Sequence, residues 1–419
     1  VRMARFPAWL LVAASLVVSG DALAASKKRH SKPHATAHAH APAPVASAQD
    51  TDGRAEARLI EIYRLIGAAR NREALSLADR LVTEYPHFQL AQLVHGDLLA
   101  AMTRPIQAVG DVPAWQARSA GTTLADLREE SVRRVRALRE RPPAGSVPSQ
   151  FLALSPRTRH AIAVDASRSR LYLFENSAIG LQLVADYYIS VGKLGTAKVA
   201  EGDQRTPLGV YYITSNLDPK SLKDFYGSGA LPISYPNVLD AKRGKTGSGI
   251  WLHGTPPTQF SRPPQATDGC VVLANPDLQH IIRTVEVRTT PVVITNELQW
   301  VAPQSTRSAS KPFEETLMGW RNAKAVGNLQ QLLSYYTPDF SSNGKTLAQW
   351  MPTLKSEIEQ TQGRSIQIKD LSLLRWTDTA DTMVVTFGEV ADGTRVGWTK
   401  RQYWIRQENQ WKIFFEGVI

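Results

Sequence analysis

Cys270 is the only cysteine in a chain of 419 residues, and it closes the run Thr267-Asp268-Gly269-Cys270. His253 stands upstream in Gly249-Ile250-Trp251-Leu252-His253-Gly254, with sixteen residues between the two. A thiol attacks a carbonyl only as the thiolate, and a free cysteine is mostly protonated near neutral pH. A neighbouring imidazole can take that proton and later return it to a leaving amine. The chemistry open to this pair is acyl transfer through a thioester. Gly269 permits a tight, positive-φ backbone before the nucleophile. Its N–H and that of Cys270 are candidate donors to an oxyanion. Gly254 can turn its carbonyl to the second imidazole nitrogen, replacing the carboxylate that orients histidine in a triad. Two other readings stand beside this one: an inert buried thiol near an unrelated histidine, and a metal site. Zinc takes three or four protein ligands. Cys270 and His253 supply two, and His280 on the following segment would be a strained third, so no metal and no other cofactor is expected.

These residues need strands to hold them. His253 ends the apolar run "GIWLHG" and Cys270 begins "GCVVL". A Pro-rich loop between them can fold back and set two strand ends side by side, with Trp251 against the imidazole. Around them, "HAIAVDASRSRLYLFEN", "LQLVADYYISVG", "TPLGVYYITS" and "TTPVVITNEL" alternate at the strand period. One helix, about 275–284, opens on "NPDL", with Asn275 as its cap and proline at the first helical position. Residues 151–298 are therefore read as a mainly β domain.

The flanks differ in kind. Residues 1–24 carry Arg2 and Arg5, an apolar run from Ala8 to Val18 and Ala22-Leu23-Ala24, the pattern of a cleavable export signal. That run is short of the ~20 residues that span a bilayer, so no stable membrane span is expected after cleavage. Residues 25–52 are an Ala/Pro/His/Lys-rich linker. Residues 53–141 show apolar residues at helical spacing, among them Leu59, Ile62, Leu65, Ala78 and Leu81. "REALSLADRLVTEYPHFQLAQLVHGDLLA" is similar to a tetratricopeptide-type repeat, too short an array to stand alone. It reads as a structural cap or as a docking site for an envelope protein. "RERPPAGSVPSQF" (139–151) and residues 301–312 read as linkers. Residues 313–419 open with amphipathic helix and continue as four strands, with turns at Asp392-Gly393 and Glu408-Asn409. They resemble the nuclear-transport-factor-like or SnoaL-like α+β cone. Deleting them is expected to spare the thiol chemistry.

The whole is read as a multidomain protein. The formal charge is +11 and 43% of residues are hydrophobic, so a core can form and an acidic partner is favoured. Nucleic acid, anionic lipid and an acidic envelope polymer share that sign. The export signal favours the envelope and argues against nucleic acid. One unpaired cysteine in an exported chain is either inert or reactive.

"RTPLGVYYI", "TGSGIWLHGTP", "TDGCVVLANPDL" and "TTPVVI" occur in the order and spacing of the YkuD-type catalytic domain of bacterial L,D-transpeptidases. The resemblance spans about residues 158–296. It implies Cys270 as nucleophile, His253 as base and acid, and peptidoglycan stem peptides as substrate in a periplasmic or exported setting. It further implies attack on the carbonyl of diaminopimelate at stem position three and departure of D-alanine from position four. Transfer to an amine gives transpeptidation; transfer to water gives L,D-carboxypeptidase or amidase activity. A non-catalytic envelope scaffold is the third reading. Many relatives have histidine where Asp268 stands and a polar residue where Val272 stands. Thr267 and Asp268 are expected at the substrate, and Tyr235, Asn237, Lys242, Arg243, Lys245 and Arg205 are candidates to grip its carboxylates.

Overall fold

The computed structural model describes residues 53–419 except 362, 395 and 396. The export-signal and linker readings for 1–52 lie outside the described residues. The N-terminal segment is helical: α1 (Arg54–Gly67), α2 (Asn71–Glu84), α3 (Gln89–Ala100), α4 (Ala114–Ser119) and α5 (Thr122–Arg139). The apolar stripes of the first three meet in one cluster built on Leu59, Ile62, Ala78, Leu81, Phe88 and Val94.

The middle of the chain gives β1 (Val147–Pro148), β2 (Phe151–Ala153), β3 (His160–Asp165), β4 (Arg170–Ser177), β5 (Gly180–Tyr188), β6 (Val191–Gly192), β7 (Gly209–Tyr212) and β8 (Ala230–Pro232). Then come α6 (Val238–Lys242), β9 (Trp251–His253), β10 (Gln265–Thr267), β11 (Val271–Val272), α7 (Asn275–Thr284), β12 (Pro291–Thr295) and β13 (Trp300–Val301). The C-terminal part comprises α8 (Pro303–Ala325), α9 (Leu329–Leu333), β14 (Ser341–Ser342), β15 (Lys345–Thr346), α10 (Leu347–Thr361), β16 (Ile366–Thr377), β17 (Asp381–Ala391), β18 (Trp398–Gln407) and β19 (Gln410–Val418).

The main sheet of the middle part runs β5-β4-β3-β12-β7, and a smaller one runs β11-β9-β8. Between them lies a core of Ile162, Val164, Leu171, Leu252, Val271, Leu278 and Ile281. The other face of the main sheet packs on the C-terminal sheet through Ala161, Phe174, Val210, Val293, Leu374, Trp376 and Tyr403. Each part is thus one wall of a shared apolar layer.

Both segments read as linkers turn out to be structural. Within 139–151, β1 pairs with β13. Just beyond it, β2 joins β16 as the fifth strand of the C-terminal sheet, β19-β18-β17-β16-β2. Residues 303–312 are helical: Pro303 sits at the first position of α8, where its missing N–H costs nothing. Pro312 is tolerated inside that helix. Phe313, Leu317 and Trp320 on α8 pack into the concave face of the C-terminal sheet with Leu373, Phe387 and Trp404. Because β2 and the apolar layer cross the boundary, deleting 313–419 would strip a strand of its partner and bare a sheet face. Such a deletion therefore disturbs the catalytic domain and does not spare the chemistry, contrary to expectation from the sequence.

The four C-terminal strands fall where the alternation places them. Glu408 and Asn409 both take positive φ, 47° and 63°, in the two-residue hairpin turn.

The helical segment is tied to the middle domain by buried charge. Arg134 bonds Glu56 (2.6 Å) and Glu130 (2.6 Å), and Arg170 on β4 bonds Glu56 at 2.7 Å and also Asp186. The Arg134 guanidinium stacks on Tyr188 at 3.9 Å. Removing one member of such a network would leave its partners charged and unpaired, at a cost of about 3–5 kcal/mol.

Candidate active site around Cys270

The site is built on the parallel pair β9–β11. Val271 lies across from Leu252 and Val272 across from His253. Cys270, one step earlier, lies across from Trp251, so it is on the same face as His253 and diagonal to it. The sequence distance of sixteen residues thus closes to neighbouring strands. The thiol does not bond the imidazole in this structure. Cys270 Sγ donates to the carbonyl of Gly249 at 3.5 Å.

His253 is 1% exposed. Its Nδ1 lies 2.7 Å from the Gly254 carbonyl. Since a carbonyl only accepts, Nδ1 carries the proton and Nε2 is left as the base. Gly254 is the residue its neighbours demand: a Cβ there would come within 2.0 Å of Asn275 Oδ1. That amide oxygen accepts from Ser228 N (2.9 Å) and Thr255 N (3.2 Å), while Asn275 Nδ2 donates to Thr255 O at 2.8 Å. Asn275 is therefore a clamp on the histidine loop, not the cap of α7; the cap position is Ala274.

Burial lowers the His253 pKa from 6.5 to about 4, the Gly254 carbonyl opposing and the Arg262 charge adding to the fall. Burial also raises the Cys270 thiol, against the Trp251 amide and the Arg262 cation, which favour the thiolate. The resting pair is a neutral thiol beside a neutral imidazole, not the ion pair that the residue types alone suggest.

Gly269 has φ 128°, and a Cβ there would meet the Arg205 carbonyl at 2.7 Å. Its N–H is spent on Thr267 Oγ1 (3.1 Å), whose hydroxyl donates to Cys270 O (2.7 Å). Of the two candidate oxyanion donors, the Gly269 N–H is thus engaged within the turn. Thr267 is 2% exposed and shapes the turn from behind instead of facing substrate. Thr206, buried on the other side, accepts from Gly192 N (2.9 Å) and donates to Gly269 O (3.0 Å).

The proposed carboxylate grip divides. Asp268 is exposed and paired with Lys193 at 2.9 Å. Tyr235 and Asn237 are buried: Tyr235 donates to Thr246 O, and Asn237 caps α6 and donates to Val210 O. Lys242 bonds Asp339. Arg243 forks onto Asp378 at 2.5 and 2.7 Å. Lys245 bonds Asp240 at 2.8 Å. That basic run is a tie to the C-terminal domain and to its own helix. Arg205 donates to Thr196 O at 3.1 Å.

Two groups escaped the sequence reading. The loop 224–227 supplies Phe225 and Tyr226, whose rings lie 5.8 and 5.0 Å from the imidazole. Tyr226 also packs on Trp251 at 4.8 Å. Arg262, from the Pro-rich loop, stacks on Phe225 at 4.4 Å. It is the cation that acts on both His253 and Cys270. Its signal in the sequence was only a basic residue before Pro263-Pro264. Arg262→Gln is expected to move the pH midpoint of Cys270 alkylation upward and slow the reaction at pH 7 about threefold to tenfold. An unchanged alkylation profile would remove Arg262 from the site.

The same loop is held by the helical segment. Phe260 stacks on Phe88 at 4.2 Å and meets Tyr85 edge-on at 5.4 Å. Its N–H donates to His87 O, and Ser261 Oγ donates to the buried Glu130 at 2.8 Å. The helices thereby fix the loop that carries Arg262. Phe260→Ala is expected to cost about 3 kcal/mol in thermal unfolding and to slow Cys270 acylation at temperatures where the protein remains folded. Wild-type acylation in the folded variant would show that the clamp is only structural.

Residues 159–294 match the family model of the L,D-transpeptidase catalytic domain (YkuD), and residues 313–417 match that of the Cds6 C-terminal NTF2-like domain. Residues 159–294 thus form an L,D-transpeptidase-type (YkuD) catalytic domain, and an NTF2-like domain follows at 313–417. In fold it is similar to Bd1075 of Bdellovibrio bacteriovorus, at 23% identity and a TM-score of 0.56, covering 65% of this chain and 98% of that one. It is also similar to the helical cell shape determining protein Pgp2 of Campylobacter jejuni, at 20% identity and a TM-score of 0.50, covering 69% of this chain and 99% of that one. No curated protein matches the sequence. Among the described residues no group of three or more His, Cys, Asp or Glu could hold a metal ion, and no helix is long and apolar enough to cross a membrane.

Proposed function

We propose that the protein is a peptidoglycan L,D-transpeptidase of the cell envelope that works through a thioester on Cys270. The observation that carries this reading is the shared face of β9 and β11, with a buried neutral His253 oriented by the Gly254 carbonyl. The reading requires the thiol to turn from Gly249 O toward Nε2. His253 then takes the thiol proton as Sγ bonds the diaminopimelate carbonyl carbon. The Cys270 N–H stabilises the oxyanion. The carbon–nitrogen bond to D-alanine breaks, and the imidazolium returns its proton to the departing amine. An acceptor amine next attacks the thioester and gives its proton to His253, which passes it to the leaving thiolate. In this reading the exposed Asp268–Lys193 pair meets the charged ends of stem peptides.

The test is to incubate the protein with purified disaccharide-tetrapeptide and read the products by mass spectrometry. Cross-linked dimer supports transpeptidation. Tripeptide with free D-alanine supports hydrolysis of the same thioester. Unchanged substrate and no covalent adduct on Cys270 would leave only the scaffold reading.

A further inference from the structure

The seam between the main sheet of the catalytic domain and the outer face of the C-terminal sheet holds a partly open pocket of about 180 Å³. At ~30 Å³ per water molecule, that is room for roughly six waters, or one small amino acid. The cavity is remote from the Cys270 face: it lies beyond β7 and β12, among Leu154, Arg157, Tyr212, Arg288, Leu374 and Arg401.

Three arginines line it, against Asp370 and the C-terminal residue Ile419. Arg157 is neutralised by Asp370 at 2.8 Å. Arg401 donates from Nε to Thr386 Oγ1 (3.0 Å) and stacks on the Tyr212 ring at 3.4 Å. Neither its terminal nitrogens nor the Arg288 guanidinium finds an acceptor among the described residues. Tyr212 is 5% exposed, and its hydroxyl, buried in the wall, has no hydrogen-bond partner. A buried unsatisfied hydroxyl is a standing cost that a ligand can remove. Two guanidinium groups and a phenol O–H around a small, partly apolar space suit a carboxylate on a short aliphatic body.

We propose that this seam cavity binds an amino-acid carboxylate, either free or at the end of a peptide. Since residues from both domains line it, occupancy would add to the contact between them. The inference does not depend on the thioester reading, because no residue of the Cys270 site is used.

The test is a titration of full-length Cys270→Ala protein followed by NMR and calorimetry. D-alanine probes the free amino acid and acetyl-D-alanyl-D-alanine the peptide end. Saturable binding of either, weakened about tenfold by Arg288→Gln, is expected. Arg288 is exposed and bonds the fold only through its backbone N–H, so this variant should remain folded. Tyr212→Phe separates a ligand role from a structural one: the unliganded protein should be at least as stable as its parent, yet bind more weakly. Saturable binding by one probe alone identifies which source the cavity takes. Absence of saturable binding by both, or binding indifferent to both substitutions, overturns the proposal.

Discussion

Cys270→Ala is expected to fold, to form no covalent adduct with a stem peptide, and to lose turnover by ~10⁴-fold or more. The stability half of this result follows from how little the thiol holds. Its one hydrogen bond runs to Gly249 O at 3.5 Å, a weak contact from sulfur. The turn around it is held instead by Thr267 and Thr206, so removing one half-buried sulfur should cost about 1 kcal/mol. The activity half follows from the absence of any substitute. No second cysteine exists in the chain, and the described residues offer no metal cluster. Thermal unfolding and intact-protein mass spectrometry read the two halves separately. Product formation by a folded Cys270→Ala protein would end the thioester reading. A protein that fails to fold would show that the thiol is a core residue after all.

The pattern of residue types reaches some parts of this site and not others, and the division is physical. The His253, Gly254, Gly269 and Cys270 geometry is legible because each sits within two residues of a strand end, where alternation fixes the face. The role of Gly254 is legible because a histidine with no nearby carboxylate still needs an acceptor for its second nitrogen. Phe225, Tyr226 and Arg262 are not legible. They come from segments without periodicity, and only the path of the chain before β8 and the grip on Phe260 bring them to the imidazole. Asn275 misleads for a related reason. Asn followed by Pro is a strong helix-start signal, and it does start α7, but the side chain serves a loop rather than its own helix. The basic run from Lys242 to Lys245 misleads because its partners Asp339 and Asp378 lie about a hundred or more residues downstream. The linker before β3 hides a strand for the same reason. Ser155 N bonds Ser372 Oγ across 217 positions, a pairing no local pattern encodes. The C-terminal hairpins, by contrast, are local, and their turns can be read from the sequence.

The second large effect is expected from His253→Gln, and it has two signatures of opposite origin. In the folded protein burial holds the His253 pKa near 4, below its ordinary 6.5. The folded state therefore binds this proton less readily than the unfolded chain does. The associated stability is fully present above pH 6.5 and is lost as pH falls toward 4, by about 3 kcal/mol at ~1.4 kcal/mol per pH unit. A glutamine side chain cannot titrate, so the variant should lose that part of the acid slope in denaturant unfolding between those limits. Catalysis should change in the other direction along the pH axis. With wild-type protein the imidazole is already neutral at pH 6 and takes the thiol proton during attack, so the rate of Cys270 acylation should be nearly flat from pH 6 to 8. Without it, reaction must wait for spontaneous ionisation of a thiol whose pKa burial raises. The variant should be slower by ~10²–10⁴-fold near neutrality and should gain about tenfold per pH unit over the same range. The two signatures guard each other. A variant that loses the acid slope yet acylates with a flat, wild-type profile would place His253 in the core and outside the chemistry. A variant that is slow but keeps the acid slope would mean that some other buried group, not this imidazole, carries the pH dependence of folding.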